Sequence, residues 1–232
     1  MDNLVVAFLT CGRKEYLDET IASWETLSDI SQRKKIILDD SADPEYRSII
    51  SSQYPDYEVI SLAEENLGYM KAYNYAFKYL YKTDYEFILW VEEDQKLLVE
   101  IDISDMVRIL KSNKLIQLST IRKPFFYDEL NYKSVIDYLV DLGWPLVQHD
   151  GFITHSSMWG NPPSVFKRSI LEAHYPDSGE EITVETRFGN KLLSLFPGQT
   201  FGFYGKMDDE PQSEHIGKIT RTSINYYWGE DE

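Results

Sequence analysis

The N-terminal part of the chain alternates two kinds of segment. Leu4-Val5-Val6-Ala7-Phe8-Leu9, Lys35-Ile36-Ile37-Leu38, Tyr57-Glu58-Val59-Ile60-Ser61-Leu62 and Phe87-Ile88-Leu89-Trp90-Val91 read as strands, most of them short apolar runs. Between them, Lys14 to Leu27 carries Leu17, Ile21, Trp24 and Leu27 at helical spacing, and Tyr69 to Tyr81 has the same period. Asp43-Pro44 opens a shorter helix, with Asp43 as its N-cap and Pro44 at the first helical position. A β-α-β-α-β-α-β order predicts an α/β fold: a mostly parallel sheet with helices on both faces.

The rhythm loosens after Leu97. Ile103 to Leu110 reads as helix and Leu115-Ile116-Gln117-Leu118 as strand, whereas Lys123 to Gly151 mixes aromatics and acids without a period. Long irregular stretches of this kind tend to be functional, so an acceptor-facing insertion is expected there. Gly160-Asn161-Pro162-Pro163 is a turn, and Ser164 to Leu171 reads as a strand running into a helix. Glu180 to Phe196 is helical by the spacing of Val184, Phe188, Leu192 and Leu195, and Thr200 to Tyr204 is a last strand. One domain over 1–232 is expected, with 1–96 as a ligand-binding half and 97–232 completing the site.

The loops after the first four strands open on one edge of the sheet, where α/β proteins bind ligands. The fourth strand runs directly into Glu92-Glu93-Asp94. Three adjacent carboxylates repel one another, and a hard divalent cation relieves that repulsion. The other loops carry Thr10-Cys11-Gly12-Arg13, Asp39-Asp40 and Asn66-Leu67-Gly68. Arg13 suits a phosphate, an acid after the second strand suits a ribose or a uracil N–H, and Asn66 with Gly68 lets backbone approach a ligand closely.

Charge and cysteine content narrow the classes. The 232 residues hold 23 Lys plus Arg against 39 Asp plus Glu, a net charge of −16, which disfavours non-specific binding to polyanions. Local basic patches remain at Arg33-Lys34-Lys35 and from Lys218 to Arg221. Cys11 is the only cysteine, so neither an internal disulfide nor a Cys-rich metal cluster is available. No apolar run approaches the length of a membrane span, and Met1-Asp2-Asn3 lacks the basic start of a signal peptide. A cytoplasmic location is the expectation.

These segments together resemble the GT-A glycosyltransferases, nucleotide-sugar-dependent enzymes with a Rossmann-like N-terminal half, and in particular the family 2-like bacterial and phage members. Phe8 to Arg13 and Asp39-Asp40 are similar to the family's nucleoside-binding loops, and Glu65-Asn66-Leu67-Gly68-Tyr69 to its Asn-x-Gly segment. Glu92-Glu93-Asp94 resembles the D-x-D motif in its Glu-Asp-Asp form, which implies Asp94 as the metal ligand; Glu93 stands where the family has Asp. Gly160 to Arg168 resembles an Asn-Pro-Ser-x-x-x-Arg segment interrupted by an extra proline. Glu181 to Phe188 resembles the late acidic helix, and Glu214-His215-Ile216-Gly217 with Thr220 the His-x-Gly segment, which implies His215 as a metal or diphosphate ligand.

The resemblance implies a nucleotide-sugar donor, by default a UDP-hexose, and a Mn2+ or Mg2+ cofactor; a mixed oxygen and nitrogen shell favours Mn2+. It implies direct displacement with inversion, which needs a carboxylate to deprotonate the acceptor hydroxyl. Glu185 is the first candidate, Glu181, on the same helical face, the second, and Asp150 the third. The acceptor is a saccharide, a protein side chain or a modified DNA base; for DNA, Arg122-Lys123-Pro124-Phe125-Phe126 is the candidate contact. Trp159 lies in a loop-like setting that suits acceptor stacking, whereas Tyr73 and Trp144 read as core. Competing readings are a non-catalytic sugar-nucleotide-binding module and a sugar-1-phosphate nucleotidyltransferase, although the latter normally has a Gly-rich first loop and here only Gly12 follows Leu9.

Overall fold

The structure is a computed structural model that describes residues 3–125, 129–156, 159–160, 163–176 and 181–217, the side chains of 181–183 excepted. Strand β1 (Leu4–Thr10) is buried at every position, as an apolar run covered on both sides of a sheet must be. It pairs in parallel with β2 (Lys34–Asp39) on one side and β4 (Phe87–Glu92) on the other, and β3 (Tyr57–Ser61) lies outside β2. Past β4 come β9 (Ser164–Lys167), β6 (Leu115–Ser119), β10 (Thr200–Tyr204), β8 (Phe152–His155) and β7 (Val147–Gln148), which makes a nine-stranded sheet of the described residues. Only β9 and β8 run against the rest. A separate ribbon pairs β5 (Gln95–Leu97) with β11 (Ser213–His215).

Helices cover both faces, as the alternation predicts. On one, α1 (Lys14–Leu27), α2 (Pro44–Gln53) and α4 (Ile103–Ser112) bury Leu17, Ile21, Trp24, Ile50 and Met106 against Val6, Phe8 and Leu89. On the other, α3 (Tyr69–Tyr81) and α6 (Glu181–Leu195) bury Phe77, Leu80, Phe188 and Leu192 against Val5, Ala7 and Trp90. Asp43 caps α2 as expected: its Oδ1 accepts from the backbone N–H of Glu45 at 2.9 Å and of Tyr46 at 3.2 Å. No helix among the described residues is long and apolar enough to cross a membrane.

The second half departs from the sequence reading in three places. Within the stretch without a period, α5 (Val135–Asp141) forms behind a capping box, Ser134 with Asp137. Its seven residues are too few for periodicity to register, and the cap is the legible signal. The segment after Pro163 forms a strand followed by a 3-10 turn at Arg168–Glu172 instead of a longer helix. Trp159 is core: it is 1% exposed and packs on Phe166 and on Phe188 of α6, ring centroids 5.4 and 5.2 Å away. Its polar neighbours suggested a loop, and it does lie in one, but its ring fills the interior.

One core residue makes the fold acid-sensitive. His155 stacks on Phe203 at 4.6 Å, and burial pushes its imidazole from 6.5 down to about 4. The unfolded chain takes up this proton as pH falls through 6.5, while the folded protein refuses it until about 4. This contribution to stability is full above 6.5 and declines by about 3 kcal/mol as pH falls towards 4. Urea titrations across that range are expected to lose less stability for His155→Phe than for the wild type, and equal slopes would contradict the assignment.

Candidate functional site

The strand order β3-β2-β1-β4 contains a reversal of direction: from β1 the chain steps outward through β2 and β3, then returns to β4 on the other side. The crevice at the carboxyl ends of β1 and β4 is therefore the natural ligand position. It holds Thr10 to Arg13 and Glu92 to Asp94. Backbone bonds stitch these loops together, Glu93 N–H to Leu9 O at 2.9 Å and Asp40 N–H to Thr10 O at 2.8 Å.

Glu93 is 2% exposed, and its carboxylate is spent on the first loop. It accepts from the Thr10 hydroxyl at 2.5 Å, the backbone N–H of Cys11 and of Arg13 at 3.2 Å, the Cys11 thiol at 2.9 Å and Arg13 Nε at 2.5 Å. Thr10 also shares a 2.6 Å bond with Tyr46 of α2. Glu93 therefore shapes the first loop. Gly12 has φ +106°, and a Cβ there would lie 3.1 Å from the Ser41 side chain.

Asp94 is also 2% exposed. Its Oδ2 receives Arg13 Nη2 at 2.6 Å, while Oδ1 lies 3.4 Å from His215 Nε2. Among the described residues neither Asp94 Oδ1 nor His215 Nδ1 has a hydrogen-bond partner. Burial lowers the His215 pKa, helped by the cations Arg13 and Arg122 and opposed by Asp94, so the ring stays neutral and keeps a lone pair. Phe125 packs on that ring with centroids 3.9 Å apart and planes tilted by 33°. Gly217 closes the pocket with backbone alone: a Cβ would lie 2.5 Å from Asp94 Oδ2 and 2.6 Å from His215 Cε1. Burial works against the Arg13 charge, but Asp94 and Glu93 outweigh it and raise its pKa. No group of three His, Cys, Asp or Glu side chains gathers as a metal cage among the described residues. The unpartnered carboxylate oxygen and neutral imidazole instead fit a cation that takes its other ligands from a bound phosphate.

A second cluster lies beside the first. Asp40 Oδ1 accepts from Leu67 N–H at 3.0 Å, Asn66 donates to Asp40 O at 2.8 Å, and Gly68 N–H donates back to Asn66 Oδ1 at 3.1 Å. Burial raises the Asp40 pKa. Asp39 is fully buried and structural, held by Ser41 N–H and by Arg47 Nε, both at 2.9 Å.

A third cluster joins the halves of the chain. Tyr73 donates to Glu92 and accepts from Trp90 Nε1 at 3.1 Å, and burial followed by the Glu92 charge keeps its phenol protonated. Tyr69, 5.0 Å from Tyr73 between ring centroids, reaches Tyr175 OH at 3.2 Å and Glu185 Oε1 at 3.4 Å. Glu185 is thus brought to the same edge. Glu181 begins α6, but its side chain lies outside the described residues, as do Asn161, Phe126 and Thr220. Asp150 is exposed in the turn between β7 and β8. Five inter-strand steps of about 4.8 Å separate β7 from β4, which puts Asp150 roughly 24 Å along the edge. Arg122 pairs with Glu129 through both terminal nitrogens, at 2.6 and 2.7 Å, and Lys123 with Glu214 at 2.7 Å, so both cations of that basic stretch have internal partners.

The sequence reading did not single out Tyr46, Tyr175 or the second role of Tyr73. Their hydroxyls serve the site from positions that read as helix interior or loop, and no local spacing signals that.

Neither a protein-family model nor a curated protein sequence matches the chain. Solved structures do. S. aureus TarS 1-349 in complex with UDP-GlcNAc aligns with 97% of this chain and 61% of its own, at 15% identity and a TM-score of 0.63. The mannosyltransferase PcManGT from Pyrobaculum calidifontis, in complex with GDP-Man and Mn2+, aligns with 94% of this chain and 58% of its own, at 14% identity and the same score. A TarS structure that is not limited to residues 1-349 is covered to 38%, at a TM-score of 0.60. The chain thus spans about 60% or less of the proteins it matches. What is shared at these identities is the fold, the mixed α/β sheet of the GT-A glycosyltransferases.

The Cys11 thiol tests this geometry. Burial, then the Glu93 charge, pushes its pKa up to about 12, so it is protonated at pH 8 although the residue is exposed. Iodoacetamide at pH 8 is expected to alkylate Cys11 at least about tenfold more slowly than a model thiol of pKa about 8.5. Glu93→Gln should raise the rate only in part, because burial remains the larger cause, and an unchanged rate in that variant would refute the Glu93 contact.

Proposed function

We propose that the chain is a glycosyltransferase that moves a sugar from a nucleoside diphosphate donor to an acceptor hydroxyl. One observation carries the reading: at the switch point of the sheet, the Arg13 fork, the unpartnered Oδ1 of buried Asp94 and the neutral ring of His215 converge on one spot. Guanidinium, carboxylate and imidazole together suit a cation-bound diphosphate. The likeness of fold to proteins crystallised with UDP-GlcNAc and with GDP-Man and Mn2+ supports the same reading.

In this proposal Arg13 binds a phosphate, while Asp40, Asn66 and Gly68 line the nucleoside side. Asp94 and His215 would hold Mn2+ or Mg2+, which when bound neutralises charge on the departing diphosphate. The donor is a UDP-hexose. Glu185, oriented by Tyr69, takes the proton of the acceptor hydroxyl as its oxygen attacks the anomeric carbon opposite the leaving group, with inversion. Glu92 is held back by the Tyr73 hydroxyl.

Release of nucleoside diphosphate from a panel of UDP- and GDP-sugars in Mn2+ tests the assignment. Asp94→Ala is expected to abolish metal-dependent release, and turnover equal to the wild type's would remove Asp94 from the site. Glu185→Gln should leave donor affinity within about twofold while transfer drops by about 10²-fold or more. Unchanged transfer would move the role to Glu181.

A further inference from the structure

We infer that Arg13 is a latch: its guanidinium occupies Asp94 until a diphosphate draws it away, so that cation and donor each strengthen the other's binding at this site. The inference deepens the proposed function and rests on it for the identity of the diphosphate. Its physical basis is independent of that reading.

Arg13 Nε lies 2.5 Å from Glu93 Oε1 and Nη2 lies 2.6 Å from Asp94 Oδ2, so one planar group spans both acids. The acids are only 2% and 3% exposed in their side chains, whereas the arginine side chain is 44% exposed. The arginine side chain is therefore partly open to solvent, with its guanidinium also over the Tyr16 ring at 5.2 Å, while the two acids it holds are buried. Glu93 keeps four other donors when the guanidinium shifts: the Thr10 hydroxyl, the Cys11 thiol and the backbone N–H groups of Cys11 and Arg13. Asp94 keeps none among the described residues, since its Oδ1 is already without a hydrogen-bond partner and His215 stands 3.4 Å away. Displacement of Arg13 thus leaves the Glu93 scaffold intact and exposes an uncompensated carboxylate beside a neutral imidazole.

A divalent ion arriving alone meets a carboxylate already neutralised by a fixed cation, and it must sit beside that cation. A diphosphate changes both conditions. Its oxygens match the guanidinium fork, which frees Asp94, and its charge offsets the two cations that then lie side by side. Such an arrangement is a thermodynamic coupling, and it is reciprocal: the anion strengthens cation binding by the same factor as the cation strengthens anion binding.

The test is Mn2+ binding without any sugar donor, read as loss of the free-ion EPR signal, for the wild type, R13Q, R13K and D94N, each repeated with UDP. The wild type is expected to bind Mn2+ weakly alone and at least about tenfold more tightly with UDP, about 1.4 kcal/mol of coupling. R13Q is expected to bind Mn2+ alone about tenfold more tightly than the wild type, with the UDP enhancement reduced. R13K offers one nitrogen instead of a fork, cannot span both acids, and should shift in the same direction by less; it decides the matter if R13Q loses its cooperative melt. D94N should abolish Mn2+ binding in either background. Equal or weaker Mn2+ binding by the folded Arg13 variants, Mn2+ binding by none of the proteins, or binding that survives D94N would each overturn the latch. Failure of the functional reading looks different: no nucleotide sugar would be turned over by the wild type, whatever the Mn2+ affinities.

Discussion

The site depends on one buried carboxylate. Glu93 stands at the end of β4 and gathers five donors from residues 10, 11 and 13, two of them backbone N–H groups. A charged group at 2% exposure is tolerated only when its hydrogen bonds are made, and here they come almost wholly from one short loop. The loop in turn has its shape because the carboxylate is there. Burial of the charge and curvature of the loop are one event, and it fixes where Arg13 points.

Consecutive residues of β4 and its extension then serve three ends. Glu92 faces α3 and is held by Tyr73, Glu93 turns back under the first loop, and Asp94 meets Arg13 and His215. The chain turns at Glu93-Asp94 and sends the three carboxylates to different partners, so three adjacent acids need not repel as strongly as their spacing in sequence suggests. Mutual repulsion is relieved first by direction and by Arg13. A cation, under the proposed function, would have Asp94 and the imidazole, a narrower role than a whole acidic cluster would imply. The ribbon of β5 with β11 supplies that imidazole, and its short backbone pairing is extended by Ile216 N–H donating to Asp94 O at 2.8 Å.

The first half of the fold was legible because β1, β2 and β4 are buried on both faces and α1 and α3 show their apolar stripes within one window. Asp43 announced its cap, and Glu92 to Asp94 announced the end of β4. The second half is built from pieces too short to carry a period: α5 has seven residues, β7 has two, and β5 and β11 have three each. Their pairing is set by partners distant in sequence, as in the bridge of Arg122 to Ser213. Trp159 was misread because the polarity of its neighbours describes the backbone path and not the direction of one ring. Residue types pointed to the crevice, but which acid would hold the first loop and which would lie between Arg13 and His215 depended on loop curvature that no spacing encodes.

How a distant helix comes to serve the β1–β4 crevice is answered by one side chain. Asn74 of α3 donates to Tyr175 O and accepts from Tyr175 N–H, both at 2.9 Å, and so copies a rung of strand pairing between a helix and the segment that leads to α6. Tyr175 is fully buried, with Phe77 6.3 Å and Phe188 4.8 Å away between ring centroids, so the segment cannot slide without opening the core. Glu185 lies one turn before Phe188 and reaches Tyr69 from there. Antiparallel β9 makes this route possible: it runs back from the ligand edge between β4 and β6 and delivers the chain to the face that α3 already occupies. Asp150, on the far flank of the sheet, has no such tether to the crevice. The packing therefore carries Glu185 from the C-terminal half to Tyr69, at the start of α3 and the ligand edge of the sheet.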